Sequence, residues 1–174
     1  NTTFLTNIYK QTEKLRLDIL SEMKNTPDLP SEVADVPGAA AEVENGVLHI
    51  SVMECLPRVC DTKGAARLRN HWLGLIRKAL AGINISFEHA LCVILIYAPS
   101  SFLWDVDNRA IKFILDALRY CRVIPDDTWN NLSYLVTGLA GVVDPKTEIY
   151  VIEMGNNYID NILNMAKKSH IMST

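Results

Sequence analysis

The sequence lacks the features of membrane-spanning and disulfide-rich proteins. No apolar run approaches the roughly 18 residues of a spanning helix, and no stretch has the pattern of a secretory signal peptide. The 4 cysteines form no Cys-x-x-Cys pair, and Cys92 and Cys121 lie in apolar stretches. We therefore expect reduced thiols in a cytoplasmic protein, rather than zinc ligands or disulfides, and no membrane partner.

The chain also has little net charge, −3 over 174 residues, which argues weakly against a nucleic-acid binder. The charges are nevertheless segregated along the chain. Residues 28–46 are acidic and contain no basic residue, whereas residues 56–80 carry six basic residues and one aspartate. The basic block predicts either a solvated helix face or contacts with phosphates. The residues expected to contact DNA phosphates in the second case are Arg58, Lys63, Arg67, Arg69 and Arg109.

Hydrophobic periodicity predicts a small α+β domain, in which helices pack on a mixed sheet in the order β-α-β-α-β-β. The first strand alternates, and the second contains the β-branched run Cys92-Val-Ile-Leu-Ile-Tyr97 that is typical of a buried central strand. The predicted strands are 47–55, 83–97, 132–143 and 147–154, and the predicted helices are 64–81 and 108–122.

The chain divides into three regions. Residues 1–46 comprise an N-terminal helix at 3–24, with imperfect heptad spacing, and an acidic proline-containing arm. Residues 47–157 form the α+β domain. Residues 158–174 form a C-terminal tail that includes a short helix at 158–168. The N-terminal helix is expected to pack on the domain or to help a dimer.

The most informative stretch of the sequence is acidic. Five carboxylates and one lysine lie within 23 residues, in a region that is otherwise apolar: Asp105, Asp107, Asp116, Asp126, Asp127 and Lys112. Crowded carboxylates cost stability unless a metal ion or a cationic partner neutralises them. Asp105 and Asp107 point the same way on an extended chain, so both can reach one ion. Such ligands suit a Mg²⁺-dependent phosphodiester hydrolase.

Structural roles explain part of this acidic stretch without any metal. Asp107 or Asn108 is a plausible helix N-cap, and Lys112 and Asp116 have the i, i+4 spacing of a surface ion pair. A turn explains one of the paired aspartates at 126–127. These roles leave Asp105 unexplained, so both interpretations remain open.

Distance along the second helix is the main difficulty for a shared metal site. A helix of about 14 residues is roughly 20 Å long, so Asp126 and Asp127 begin far from Asp107. Either the helix is shorter, or residues 122–126 run back beside it, or the site is shared across a dimer.

At these residues the chain resembles the RusA family of Holliday junction resolvases, which are phage-derived bacterial endodeoxyribonucleases. The pattern is D-x-D-N at 105–108, a lysine at 112, D-A-L at 116–118 and D-D at 126–127. The last strand and the residues after it, through Asn156, also resemble the end of family members. The similarity covers about residues 47–157.

The resemblance implies a homodimeric, Mg²⁺-dependent (or Mn²⁺-dependent) endonuclease that cuts branched DNA in recombination and repair, often encoded by a prophage. It implies that Asp105, Asp107 and Asp127 are catalytic and hold the metal, and that Lys112 is catalytic. Asn108, Asp116 and Asp126 would support them. The alternatives are a DNA-junction-binding module that does not cut, and a structural interaction domain whose aspartates are caps and turns.

Overall fold

The computed structural model describes residues 38–58, 65–98, 108–142 and 144–155, together with five helical residues near the N-terminus. Those five are Phe4, Ile8, Gln11, Thr12 and Leu15. The predicted C-terminal helix lies outside the described residues. In the part of the chain that the structure describes, no helix is long and apolar enough to cross a membrane.

The described chain forms a five-stranded mixed sheet with two helices, which confirms the predicted α+β class. The strands are β1 (Ala39–Glu44), β2 (Val47–Val52), β3 (Ala90–Ala98), β4 (Leu132–Ala140) and β5 (Lys146–Glu153). The helices are α1 (Ala65–Ala79) and α2 (Ile111–Tyr120). The strand order is β1-β2-β5-β3-β4, with β3 and β4 parallel and the other neighbours antiparallel.

The hydrophobic core lies between the helices and one face of the sheet. Side chains of β2 and β3 alternate between buried and half-buried, as strands covered on one face do. The apolar stripe of α1 faces this layer, and Trp72 at its centre is completely buried. The opposite face of the sheet, which we call the open face, carries the half-buried side chains.

One strand of the sheet falls where an acidic arm is predicted. Ala39–Glu44 pairs antiparallel with β2 and forms an edge of the sheet. Asn45 and Gly46 join the two strands, with φ of 50° and 78°. An Asn-Gly pair with positive φ at both residues is typical of a tight hairpin turn. The turn brings these alanines and glutamates into the sheet although their strand propensity is low.

The second helix is shorter than the sequence predicts. It ends at Tyr120, and Arg122 has a φ of 60°, a left-handed conformation that reverses the chain. The backbone N–H of Val123 donates to the Leu118 carbonyl at 2.9 Å, which holds the reversal close to the helix. The chain therefore returns along α2 within a few residues. This brings Asp127 close to Lys112, near the start of α2.

The described cysteines agree with the predicted thiols. Cys55, Cys92 and Cys121 are free, whereas Cys60 lies outside the described residues. Burial raises the pKa of the Cys92 thiol to about 12, so this thiol stays protonated.

Candidate functional site

Asp116 is the centre of a charge cluster between the two helices. Its carboxylate is 8% exposed, and Arg69 of α1 places Nε 3.2 Å from Oδ2. Two cations of α2 lie near the other oxygen, Oδ1, with Lys112 Nζ at 3.6 Å and Arg119 Nη2 at 3.9 Å. These positive neighbours offset the cost of burying the charged carboxylate.

The aspartate pair that follows α2 belongs to the same charge cluster. Arg119 donates from Nη1 to Asp126 at 3.4 Å and to Asp127 at 3.2 Å, and Lys112 Nζ lies 3.8 Å from Asp127. The backbone N–H of Asp127 donates to the Asp126 carboxylate at 2.9 Å. That hydrogen bond, helped by Arg119, lowers the pKa of Asp126. The structure thus brings Lys112, Asp116 and Asp127 together.

Positive side chains offset the negative charge of this cluster, as far as the structure describes the cluster. Its three aspartates face three cations, so their mutual repulsion is offset within the protein. Among the described residues, no group of three or more His, Cys, Asp or Glu side chains could hold a metal ion. Asp105 and Asp107 lie outside the described residues.

One of the residues predicted to contact DNA phosphates is buried. Arg109 is 5% exposed and donates to the Leu56 carbonyl at 2.6 Å, so it lies in the interior instead. Its backbone forms a β-bridge with Arg58. Arg69 pairs with Asp116, Arg67 is exposed on α1, and Lys63 lies outside the described residues.

The predicted N-cap is also wrong. The residue at the N-cap of α2 is Ala110, and it makes no capping side-chain hydrogen bond. Its backbone N–H donates to the Pro57 carbonyl at 3.0 Å, so the segment after β2 holds the start of the helix in place. Asn108 is exposed in the turn before it.

A second polar cluster, which sequence reasoning missed, lies on the open face. His49 of β2 places Nε2 2.7 Å from Glu148 of β5 and Nδ1 3.1 Å from Glu42 of β1. The imidazole stacks on the Tyr150 ring at 4.4 Å between centroids. Lys146 Nζ lies 2.6 Å from the other oxygen of Glu148. His49 therefore connects three neighbouring strands through side chains.

The protonation states of His49 and Glu148 stabilise each other. Burial by itself lowers the pKa of His49, but the hydrogen bonds to Glu148 and Glu42 more than offset it and leave the pKa raised. Burial likewise raises the pKa of Glu148, and hydrogen bonds from Lys146, His49 and Ser51 reverse that effect and lower it. A charged His49 can donate from both ring nitrogens, whereas a neutral ring can donate from only one.

This cluster predicts a pH window for stability. His49 contributes stability that is fully present below its unfolded pKa of 6.5 and is lost as pH rises through its raised folded pKa. Glu148 contributes stability that is present above its unfolded pKa of 4.5 and is lost as pH falls through its lowered folded pKa. We expect the contribution to the free energy of unfolding to be greatest between these values and to fall by on the order of 1 kcal/mol on either side. Urea denaturation at a series of pH values measures it.

The variant His49→Gln is the control for the pH window. The variant should no longer lose stability as the pH rises through the pKa of His49. It should still lose stability as the pH falls, because Lys146 still pairs with Glu148. If the variant and the unchanged chain lose the same stability at high pH, groups other than His49 cause that loss.

The remaining half of the open face is apolar. In β3, alternate side chains from Leu91 to Tyr97 are half-buried, and the parallel register places them beside alternate residues of β4. In β4 the side chains of Leu135 and Leu139 are 56% and 60% exposed. Neither α1 nor α2 covers this face, since both contribute to the core on the other side.

Comparisons with known proteins give no family for this chain. No family model matches it, and no curated protein matches it. The solved structures to which it is similar include the periplasmic domain of MotB from Helicobacter pylori, with 12% identity over 78% of this chain and 91% of that chain and a TM-score of 0.39. The cell wall anchor of the T6SS from Pseudomonas aeruginosa has 10% identity over 71% of this chain and 94% of that chain, with a TM-score of 0.37. A putative MotB-like protein from Desulfovibrio vulgaris has 16% identity over 73% and 86%, with a TM-score of 0.34. Likenesses this weak do not establish a shared function.

These findings correct the resemblance to the RusA family. No family model and no curated protein matches the chain, so the comparisons give this family no support. The predicted family is therefore wrong. The junction endonuclease activity, the branched-DNA partner, the roles in recombination, repair and prophage biology, and the cytoplasmic location are wrong with it. In the described part of the motif, the aspartates pair with arginine and lysine or close a turn, so structural roles account for Asp116, Asp126 and Asp127.

Proposed function

We propose that this chain is a non-enzymatic domain that binds another protein through the open face of its sheet. The observation that carries the proposal is the exposure of Leu135 and Leu139 beside the half-buried apolar row of β3. Contiguous apolar surface that water reaches is costly, and in folded proteins it marks sites of association.

The layout of the open face supports a binding role. Its apolar half on β3 and β4 adjoins the polar cluster of His49, Glu42, Glu148 and Lys146 on the other strands. Protein interfaces commonly combine an apolar centre with a polar rim. The hydrogen bonds of the cluster hold its side chains in place, which lowers the entropy lost on binding.

The proposal is tested by photo-crosslinking from the open face. A photoreactive amino acid replaces Leu135 in the full chain, expressed in its own organism, and covalent products are identified by mass spectrometry. The matched control replaces Val43, which is 45% exposed and pairs in register with the buried Leu48, so it lies on the opposite side of the sheet.

We expect one protein to be cross-linked from position 135 and not from position 43. A second substitution, Leu139→Lys, should abolish that product, because a lysine would have to be desolvated in an apolar contact. Equal products from both positions, or a product that survives Leu139→Lys, would refute binding through this face.

A further inference from the structure

The outer edge of β4 presents backbone hydrogen-bonding groups that have no partner among the described residues. β4 is the last strand in the sheet and pairs with β3 along all nine residues from Leu132 to Ala140. Outside that ladder, one described backbone hydrogen bond involves the strand, from the Leu132 N–H to the Thr128 carbonyl at 2.9 Å. About half of the N–H and C=O groups of a strand paired on one side point away from the sheet.

The two edges of the sheet differ in how they are protected. β1 is six residues long and carries Glu42 and Glu44, and edge charges of this kind discourage pairing with another chain. β4 is nine residues long and has the sequence Leu-Ser-Tyr-Leu-Val-Thr-Gly-Leu-Ala, with no charged residue and no proline. The β4 edge therefore has none of the features by which β1 is protected.

The side chains beside the β4 edge indicate what would fit there. Leu135 and Leu139 are exposed on the open face, and Tyr134 is 55% exposed on the helix side. Gly138 packs closely on β3, since a Cβ there would lie 2.9 Å from the Ile96 carbonyl oxygen. A strand laid against β4 would find apolar contacts with Leu135 and Leu139 on the open face.

We propose that β4 takes up an extended segment of a partner protein, which adds to the sheet as a further strand. The inference rests on the proposed binding function and names the form of the partner. The segment has apolar residues at alternate positions facing Leu135 and Leu139. Main-chain hydrogen bonds to β4 supply affinity, and the alternate side chains supply specificity.

Peptides that bind the outer edge of β4 are selected on the full chain from a phage-displayed library of random linear peptides. The tightest peptide is synthesised and added to isotope-labelled protein. We expect outward-facing amide protons of β4 to become protected from hydrogen exchange by about tenfold or more, and those of β1 to stay unchanged. N-methylation of the peptide at every second residue should weaken binding by about tenfold or more, and at the intervening residues it should have little effect.

Substitutions in the protein complete the test. Leu135→Lys should weaken peptide binding, whereas Val43→Lys on the β1 edge should leave it unchanged. An N-methylation effect without alternation would overturn strand addition and leave binding by the open face intact. Outward β4 amides that are already protected in the free chain would assign the edge to a segment of this chain. Protection that depends on protein concentration would assign it to a second copy, and either outcome overturns the proposal.

Discussion

Replacement of Trp72 by alanine is expected to lower the free energy of unfolding by about 3–5 kcal/mol. Trp72 is completely buried at the centre of the α1 stripe, within the core that joins the helices to the sheet. Alanine removes the whole indole and leaves a cavity that this layer cannot fill without distortion. Urea denaturation followed by circular dichroism measures the loss as a lower midpoint at an unchanged slope.

Trp72→Phe separates the packing of the ring from its polar atom. The indole Nε1 is buried and finds no acceptor among the described residues. Phenylalanine removes this unpaired N–H and keeps most of the aromatic contact, so we expect a loss of about 1 kcal/mol, well below that of alanine. A phenylalanine variant as unstable as the alanine variant would show that the indole N–H has a partner.

The core of the domain is predictable from the sequence because its signals are local. The apolar stripe of α1, which includes Leu68, Trp72 and Ile76, follows the helical period, and the β-branched run at 92–97 forms the central part of β3. β1 is the exception, since Ala39–Glu44 has a weak strand pattern and gains its place through the Asn45-Gly46 turn and pairing with β2. Pairing of that kind depends on the rest of the sheet, so composition alone predicts an arm.

The charge cluster shows how far local spacing can predict a site. Spacing indicates that Lys112 and Asp116 are neighbours, and the structure places Asp127 beside them. Spacing does not reveal that Arg69, on a different helix, supplies the closest cation to Asp116. Without that cation, the described part of the acidic stretch appears to need a metal ion.

The polar cluster on the open face has no local signal at all. His49 and Glu148 are 99 residues apart in the sequence and meet because β2 pairs with β5. Each residue taken alone is an ordinary polar position on a strand. Only the strand order, with β5 inserted between β2 and β3, brings the imidazole between two carboxylates. The polar cluster of the open face could therefore be found only from the structure.

Replacement of Thr147 by valine is expected to lower the free energy of unfolding by about 2–3 kcal/mol, although valine has nearly the same shape and is more hydrophobic. Thr147 is completely buried in β5. Its hydroxyl accepts from the backbone N–H of Leu56 at 2.9 Å and donates to the Glu54 carbonyl at 2.8 Å. Valine leaves the Leu56 N–H in the interior without an acceptor, and the cost of desolvating that group is no longer offset.

Thr147→Ser is the matched control, because it keeps the hydroxyl and loses only a methyl group, at about 1 kcal/mol. The order of stability should therefore be threonine, serine, valine, whereas hydrophobicity and strand propensity alone place valine first. The same hydroxyl connects β5 to residues 54–57, which contact the start of α2. There the Leu56 carbonyl accepts a hydrogen bond from Arg109, and the Pro57 carbonyl accepts one from the Ala110 N–H. Backbone amide shifts at 109–113 should change with valine and not with serine. A valine variant at least as stable as the unchanged chain would mean that the hydroxyl contributes no more than the methyl group that replaces it.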